Sequence, residues 1–170
     1  MKKLILINGT MGVGKSTVCK QLLTRLQPGV WLDGDWCWNM EPFVVNEENK
    51  AMVLSNITYL LRSFLLNSGY EYVIFCWVIH QEEIMQQLLQ RLEDLSGSYE
   101  PLRFTLTCSE TALRQRLERD IAQGLRRSDV VERSLQRLPL YRQMDSQKLD
   151  CTFLTPEETA ELLAQEILAK

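Results

Sequence analysis

The stretch GTMGVGKST, residues 9–17, decides how the rest of this chain is read. It fits G-x-x-x-x-G-K-[ST], with Gly9, Gly14, Lys15 and Ser16 in the defining places. Glycines let the chain fold tightly enough for successive backbone N–H groups, from Thr10 through Met11, Gly12 and Val13, to point inward at phosphate oxygens. A helix opening at Lys15, Ser16 and Thr17 adds its positive N-terminal end. Lys15 supplies a point charge for the β- and γ-phosphates, and the Ser16 hydroxyl is placed to hold Mg²⁺. The setting is what the mechanism demands, with the apolar run LILI before the loop and the helical pattern KSTVCKQLLTRL after it. A bound nucleoside triphosphate, ATP with Mg²⁺, is the expectation.

Outward from that loop, short apolar runs alternate with helical patterns, the signature of an α/β fold with a mainly parallel sheet. Strands are expected at 3–7, 30–33, 72–79, 102–107 and 149–154. LILI and VIFCWVI are continuous apolar runs, as strands buried on both faces are. Helical stripes are formed by Val53, Ile57, Leu60 and Phe64, by Ile84, Leu88, Leu92 and Leu95, and by Leu113, Leu117 and Ile121. The last helix has a clear start: Thr155 as N-cap, Pro156 at the first helical position, then Glu157 and Glu158. Five strands with helices on both faces make a three-layer P-loop fold that fills residues 1–170 as a single domain.

The bulk numbers agree. A chain of 170 residues with 45% hydrophobic and 24% charged residues has an ordinary globular composition. A net charge of −3 argues against a dedicated nucleic-acid binder. Five cysteines, at 19, 37, 76, 108 and 151, include no C-x-x-C pair, which points to reduced thiols and a cytoplasmic setting, not to a zinc site or a disulfide framework. The opening MKKLILINGT has lysines before an apolar run, but that run is too short for a secretory signal. No segment approaches 18 apolar residues, so no membrane partner is expected.

Three classes of P-loop protein compete. A switch GTPase should offer N-K-x-D, and Asn49-Lys50-Ala51-Met52 lacks the aspartate. Asp94-Leu95-Ser96-Gly97 fits D-x-x-G, but a helix end explains it. Motors carry an acidic pair at the end of an apolar strand, whereas YVIFCWVIH ends in His80. The metal question therefore passes to WLDGDWCW, residues 31–38, where Asp33 and Asp35 close the second strand. With this D-G-D the chain resembles the P-loop small-molecule kinases: shikimate, gluconate and adenylylsulfate kinases and chloramphenicol phosphotransferase. The resemblance implies a five-stranded sheet of the nucleoside/shikimate kinase type. It also implies that Asp33 holds a water on Mg²⁺, and that Asp35 accepts a hydrogen bond from the acceptor hydroxyl as base or orienting group. Phosphoryl transfer needs such positioning and charge neutralisation more than covalent chemistry.

The same resemblance implies an arginine-bearing lid at about 120–134. One arginine would stack on adenine and another would reach the transferring phosphate. Arg119 and Arg126 fit that spacing best, with Arg116 as rival for the first role and Arg127 for the second. Arg114 reads as surface, pairing with Glu118, and Arg116 could pair with Asp120 at i, i+4. Gly124 looks like a helix stop and hinge. Thr155 and Pro156 stand where such kinases place a base-contacting loop. On the acceptor side the chain departs from named relatives, since Cys76, Trp77 and His80 stand where a shikimate kinase has glycines. Trp36, Trp38, Met40 and Phe43, with Trp77 and His80 opposite, could line an aromatic or apolar acceptor pocket, or could simply cover the end of the sheet. The expected partner is a small-molecule phosphoryl acceptor, handled by a monomer or homodimer. A nucleoside or nucleotide kinase, or an ATP-binding regulator or slow ATPase without an acceptor, are the alternatives.

Overall fold

Alternation along the first strand organises the molecule. In the computed structural model, which describes all 170 residues, β1 (Lys2–Asn8) sends Ile5 and Ile7 into one core and Leu4 and Leu6 into another, on opposite faces of the sheet. The first core is closed by α1 (Lys15–Arg25), α4 (Glu110–Ala122), α5 (Val130–Gln143) and α6 (Pro156–Leu168). The second is closed chiefly by α2 (Glu47–Leu66) and α3 (Glu82–Gln90). The strands β2 (Gly29–Asp33), β3 (Tyr72–Trp77), β4 (Tyr99–Thr107) and β5 (Gln147–Asp150) complete a five-stranded sheet in the order β2-β3-β1-β4-β5. Every pairing is parallel. This is the α/β, three-layer arrangement expected. No helix is long and apolar enough to cross a membrane. All five cysteines are free thiols; four are buried and Cys37 is half-buried.

Several element limits differ from expectation, each for a local reason. β3 ends at Trp77 instead of 79 because Ile79 leaves the ladder and bonds to a side chain: Asn8 Nδ2 donates to its carbonyl (2.6 Å) and its N–H donates to Asn8 Oδ1 (2.9 Å). β4 starts at Tyr99, before Pro101, in a stretch where β5 is not yet paired, so a missing N–H leaves the outer ladder intact. β5 is earlier and shorter than 149–154. The Asp150 carboxylate accepts from the N–H (2.8 Å) and hydroxyl (2.5 Å) of Thr152, turning the chain out of the sheet. α3 stops at Gln90, and Glu93–Leu95 form a separate 3-10 turn. α5 has no counterpart among the helical stripes legible in the sequence. Its buried residues Val130, Val131, Ser134, Leu138 and Tyr141 keep helical spacing, but Pro139 and a run of arginines mask the pattern. The connection from α4 to α5 is thus residues 123–129, inside the span of about 120–134 that the resemblance implies for a lid.

The final helix starts as its sequence implies: the Thr155 hydroxyl accepts from Glu158 N–H (3.2 Å), and the Glu158 carboxylate returns to Thr155 N–H (2.8 Å). Asn8 is the other fixed point, joining the ends of β1 and β3 immediately before the glycine-rich loop. Asn8→Ala would strand a buried N–H and C=O at Ile79, which is 1% exposed. The expected loss is about 2 kcal/mol, read from the urea midpoint with an unchanged m value.

Candidate functional site

At the carboxyl ends of the strands lies a cleft of about 570 Å³, floored by residues 11–18 and bordered by Asp35, α4, the turn after β5 and the start of α6. Its floor is the glycine-rich loop. Gly12 adopts φ +87°, and a Cβ there would meet Leu117 Cδ2 of α4 at 2.4 Å, so the loop packs directly on that helix. Val13 is buried, and Gly14 is the N-cap of α1, whose first turn aims its N–H groups into the cleft. Lys15 is buried at the base. Its ammonium donates to the carbonyls of Gly9 (2.9 Å) and Thr10 (3.1 Å). Burial pulls its pKa down, against the opposing charges of Asp35 and Asp33 nearby.

The D-G-D segment meets this loop directly. The Ser16 hydroxyl donates to Asp33 Oδ2 (2.5 Å), and Asp33 Oδ1 accepts from Asp35 N–H (3.0 Å). Asp33 therefore joins α1 to the 3-10 turn Gly34–Trp38 while remaining 5% exposed. A hydroxyl and a carboxylate at this separation are hard oxygen donors of the kind Mg²⁺ takes. The Asp35 carboxyl is raised above the usual carboxylate range by desolvation, then by the Asp33 charge, with Lys15 and Arg126 pulling the other way. That combination suits a group that must take up a proton or accept a hydrogen bond.

The arginines divide. Arg126 lines the cleft and pairs with Asp120 (2.8 Å), while Arg127 is exposed and does not line it. Arg119 also lines the cleft, exposed and with no hydrogen bond from its guanidinium. Arg116 is fully engaged with backbone carbonyls, on Val13, Cys151 and Thr152. The i, i+4 pairs expected on α4 are replaced by longer ones: Arg114 reaches Glu132 of α5 (3.1 Å), and Asp120 is taken by Arg126. Thr155 and Pro156 border the far end of the cleft with Ala112, Gln115 and Thr152.

The tryptophans are placed elsewhere. Trp77 lies against Gly34, where a Cβ would approach its Cγ to 2.5 Å, and packs beside Phe75 (ring centroids 6.3 Å apart). Trp36 packs on Trp31 (4.9 Å) and is 55% exposed, and Trp38 packs on Phe43 (5.8 Å). None of Trp36, Trp38, Trp77 and His80 lines the cleft. His80 is half-buried three residues past the end of β3, its protonated form disfavoured by burial and by Arg137. Beyond Met11 and Val78, which border both spaces, is a recess of about 20 Å³ lined also by Thr10, Arg133, Ser134, Arg137 and Tyr141. Burial pushes the Tyr141 phenol up, with Arg137 pulling it down and the Asp35 charge raising it. These α5 residues escaped the sequence reading; the only signal available was the helical spacing that Pro139 interrupts.

A protein-family model described as an AAA domain matches residues 5–134. No curated protein matches the sequence. Among solved structures, a gluconokinase from Sinorhizobium meliloti is similar at 17% identity and a TM-score of 0.65, covering 98% of this chain and 96% of its own. Shikimate kinase from Acinetobacter baumannii, in complex with shikimate, is 22% identical with a TM-score of 0.62, covering 99% and 94%. The tunicamycin resistance protein of Deinococcus radiodurans is 19% identical with a TM-score of 0.63, covering 98% and 96%. The fold is that of the P-loop kinases.

The contact of Trp77 with Gly34 makes a sharp test of how the carboxylates are held. Gly34→Ala must displace that ring, and should cost about 1–3 kcal/mol in urea unfolding while changing the near-ultraviolet circular dichroism of the tryptophans.

Proposed function

Since this chain belongs to the AAA-domain family, we propose that it is an ATP-dependent phosphotransferase that moves the γ-phosphate to a hydroxyl or phosphate oxygen of a small molecule. The observation carrying this reading is the convergence of Lys15, Ser16 and the Asp35 carboxyl on one cleft, with the buried Asp33 bonded to Ser16 behind them. The triphosphate would lie on the first turn of α1, and Lys15 would exchange the carbonyls of Gly9 and Thr10 for phosphate oxygens. Ser16 and Asp33 would hold Mg²⁺, which when bound neutralises phosphate charge. Asp35 accepts the proton of the acceptor hydroxyl as its oxygen bonds to the γ-phosphorus. The bond from that phosphorus to the bridging oxygen breaks, and its electron pair leaves with ADP. Arg126, now held by Asp120, would turn to the transferring group when residues 123–129 close, with exposed Arg127 as its alternate. Arg119 and Pro156 would enclose the base.

The acceptor side favours a molecule with an anionic substituent. The ion pairs of the region are Arg114–Glu132, Arg126–Asp120 and Arg133–Asp129, which leaves Arg137 without one beside Tyr141 and Ser134. An aromatic part of the acceptor is supported by Trp36, 55% exposed and adjacent to Asp35. In that arrangement Trp38, Trp77 and His80 would support the pocket from behind. A nucleotide, with both a base and a phosphate, satisfies both features, so a nucleotide kinase is the second reading. The absence of a membrane-spanning helix and the reduced thiols are consistent with a cytoplasmic enzyme.

ADP release measured across carboxylated, phosphorylated and neutral hydroxyl compounds tests this. An anionic acceptor should stimulate release, and Asp35→Asn should remove at least about a hundredfold of that stimulation while ATP still binds. Arg137→Ala should raise the acceptor KM by about tenfold or more with a smaller effect on kcat. If no compound stimulates ADP release, the chain binds nucleotide without transferring from it. In direct titration, Lys15→Ala should weaken ATP binding by about tenfold or more, and EDTA should abolish turnover; an unchanged affinity would remove the basis of the proposal.

A further inference from the structure

Arg116 sits at the junction of two loops that are far apart in sequence. One terminal nitrogen donates to the carbonyl of Val13 in the glycine-rich loop (3.1 Å) and lies 3.5 Å from Cys151 Sγ. The other donates to the carbonyls of Cys151 (2.6 Å) and Thr152 (3.4 Å), in the turn after β5 at the far end of the cleft. No carboxylate pairs with it. Val13 and Cys151 are each 2% exposed, so these carbonyls have little access to water. The thiol of Cys151 gives only a long contact of its own to the Val13 carbonyl (3.8 Å). The guanidinium is therefore the principal polar tie between the loop that would hold phosphates and the turn that would meet the base. Its planar fork of donors suits this task, because a lysine ammonium is a single point that cannot span two loops with the same geometry.

We propose that Arg116 is a positioning residue that couples the phosphate loop to the base-binding turn, so that occupying one orders the other. This rests on reading the cleft as the ATP site. The same engagement separates Arg116 from Arg119: a guanidinium spent on three carbonyls is held in place, while Arg119, unbonded in the cleft, is left to lie on the base. A triphosphate without a base reports on the phosphate loop alone, whereas ATP reports on both segments and on the tie between them.

The test compares ATP with inorganic tripolyphosphate in direct titration. Arg116→Ala should weaken ATP by about tenfold or more, within the usual range for coupling between two sites, and leave tripolyphosphate within about twofold. Arg116→Lys should not restore ATP affinity. Equal losses for both ligands would mean a general structural role, and full rescue by lysine would mean that charge alone matters; either overturns the proposal. A measurement on the unmodified protein needs no variant to fold: tripolyphosphate should slow amide hydrogen exchange in residues 151–154, outside the loop that would hold it. Unchanged exchange there, with tripolyphosphate bound, also overturns the coupling. Failure of the unmodified protein to bind either ligand would instead sink the nucleotide-site reading, and this inference with it.

Discussion

The hydrogen bond from Ser16 to Asp33 is the contact on which the site depends. In the sheet, β3 lies between β1 and β2, so the ends of those two strands are separated by two strand spacings, about 10 Å. The chain leaves β1, turns through the glycine-rich loop and returns along α1 to reach β2. Next it crosses by α2 to β3, and after α3 it passes to the other side of β1. A crevice opens at the carboxyl edge where the direction of strand addition reverses, which is where open α/β sheets bind ligands. Ser16 is in the first turn of the helix that spans the gap, and Asp33 is the last residue of β2. Their bond closes the crevice on one side and, through Asp33 Oδ1 and Asp35 N–H, orients the second carboxylate over it.

The packing around WLDGDWCW shows why acidic and aromatic residues share one segment. Asp33 is buried yet satisfied, because its two oxygens take a hydroxyl and a backbone N–H. Burying a charge without such partners would be costly. The rings do the complementary work. Trp77 presses on Gly34, and Trp38 is partly buried against the core beneath α2. Aromatic mass thus fixes the backbone between the carboxylates. Trp36 is the member of the group with a large free face.

What could be read without coordinates was whatever is local in sequence. The glycine-rich loop is nine consecutive residues, β1 is a continuous apolar run, and the cap of α6 is a four-residue pattern. The apolar stripes of α2 and α4 also follow from spacing, since Val53, Ile57, Leu113 and Leu117 are all fully buried. The misses are contacts across the chain. Nothing near Arg116 signals that it will meet Val13, 103 residues earlier, and its i, i+4 neighbour Asp120 suggests a surface pair that does not form. Trp77 and Gly34 meet only because β2 and β3 are paired. α5 was obscured by Pro139, which a helix tolerates here because its buried face is held by the core on either side of it.

Three of the four cations of the cleft are already partnered within the protein, Arg119 being the exception. Lys15 bonds two carbonyls of its own loop, Arg126 bonds Asp120, and Arg116 bonds three carbonyls. Each arrangement keeps a charged group from standing unpaired in a partly dry cleft, but the three differ in what a phosphate could displace. Lys15 can exchange neutral carbonyls for anionic oxygens, a gain in charge-assisted bonding. Arg126 must leave a carboxylate, so its transfer to a phosphate is nearly an exchange of like for like, and the balance can tip with the position of residues 123–129. Arg116 would have to abandon two loops at once. On the proposed reading, a cleft built this way would sort its three partnered cations into one that grips, one that moves and one that stays, and only the last would serve as the frame against which the others are positioned.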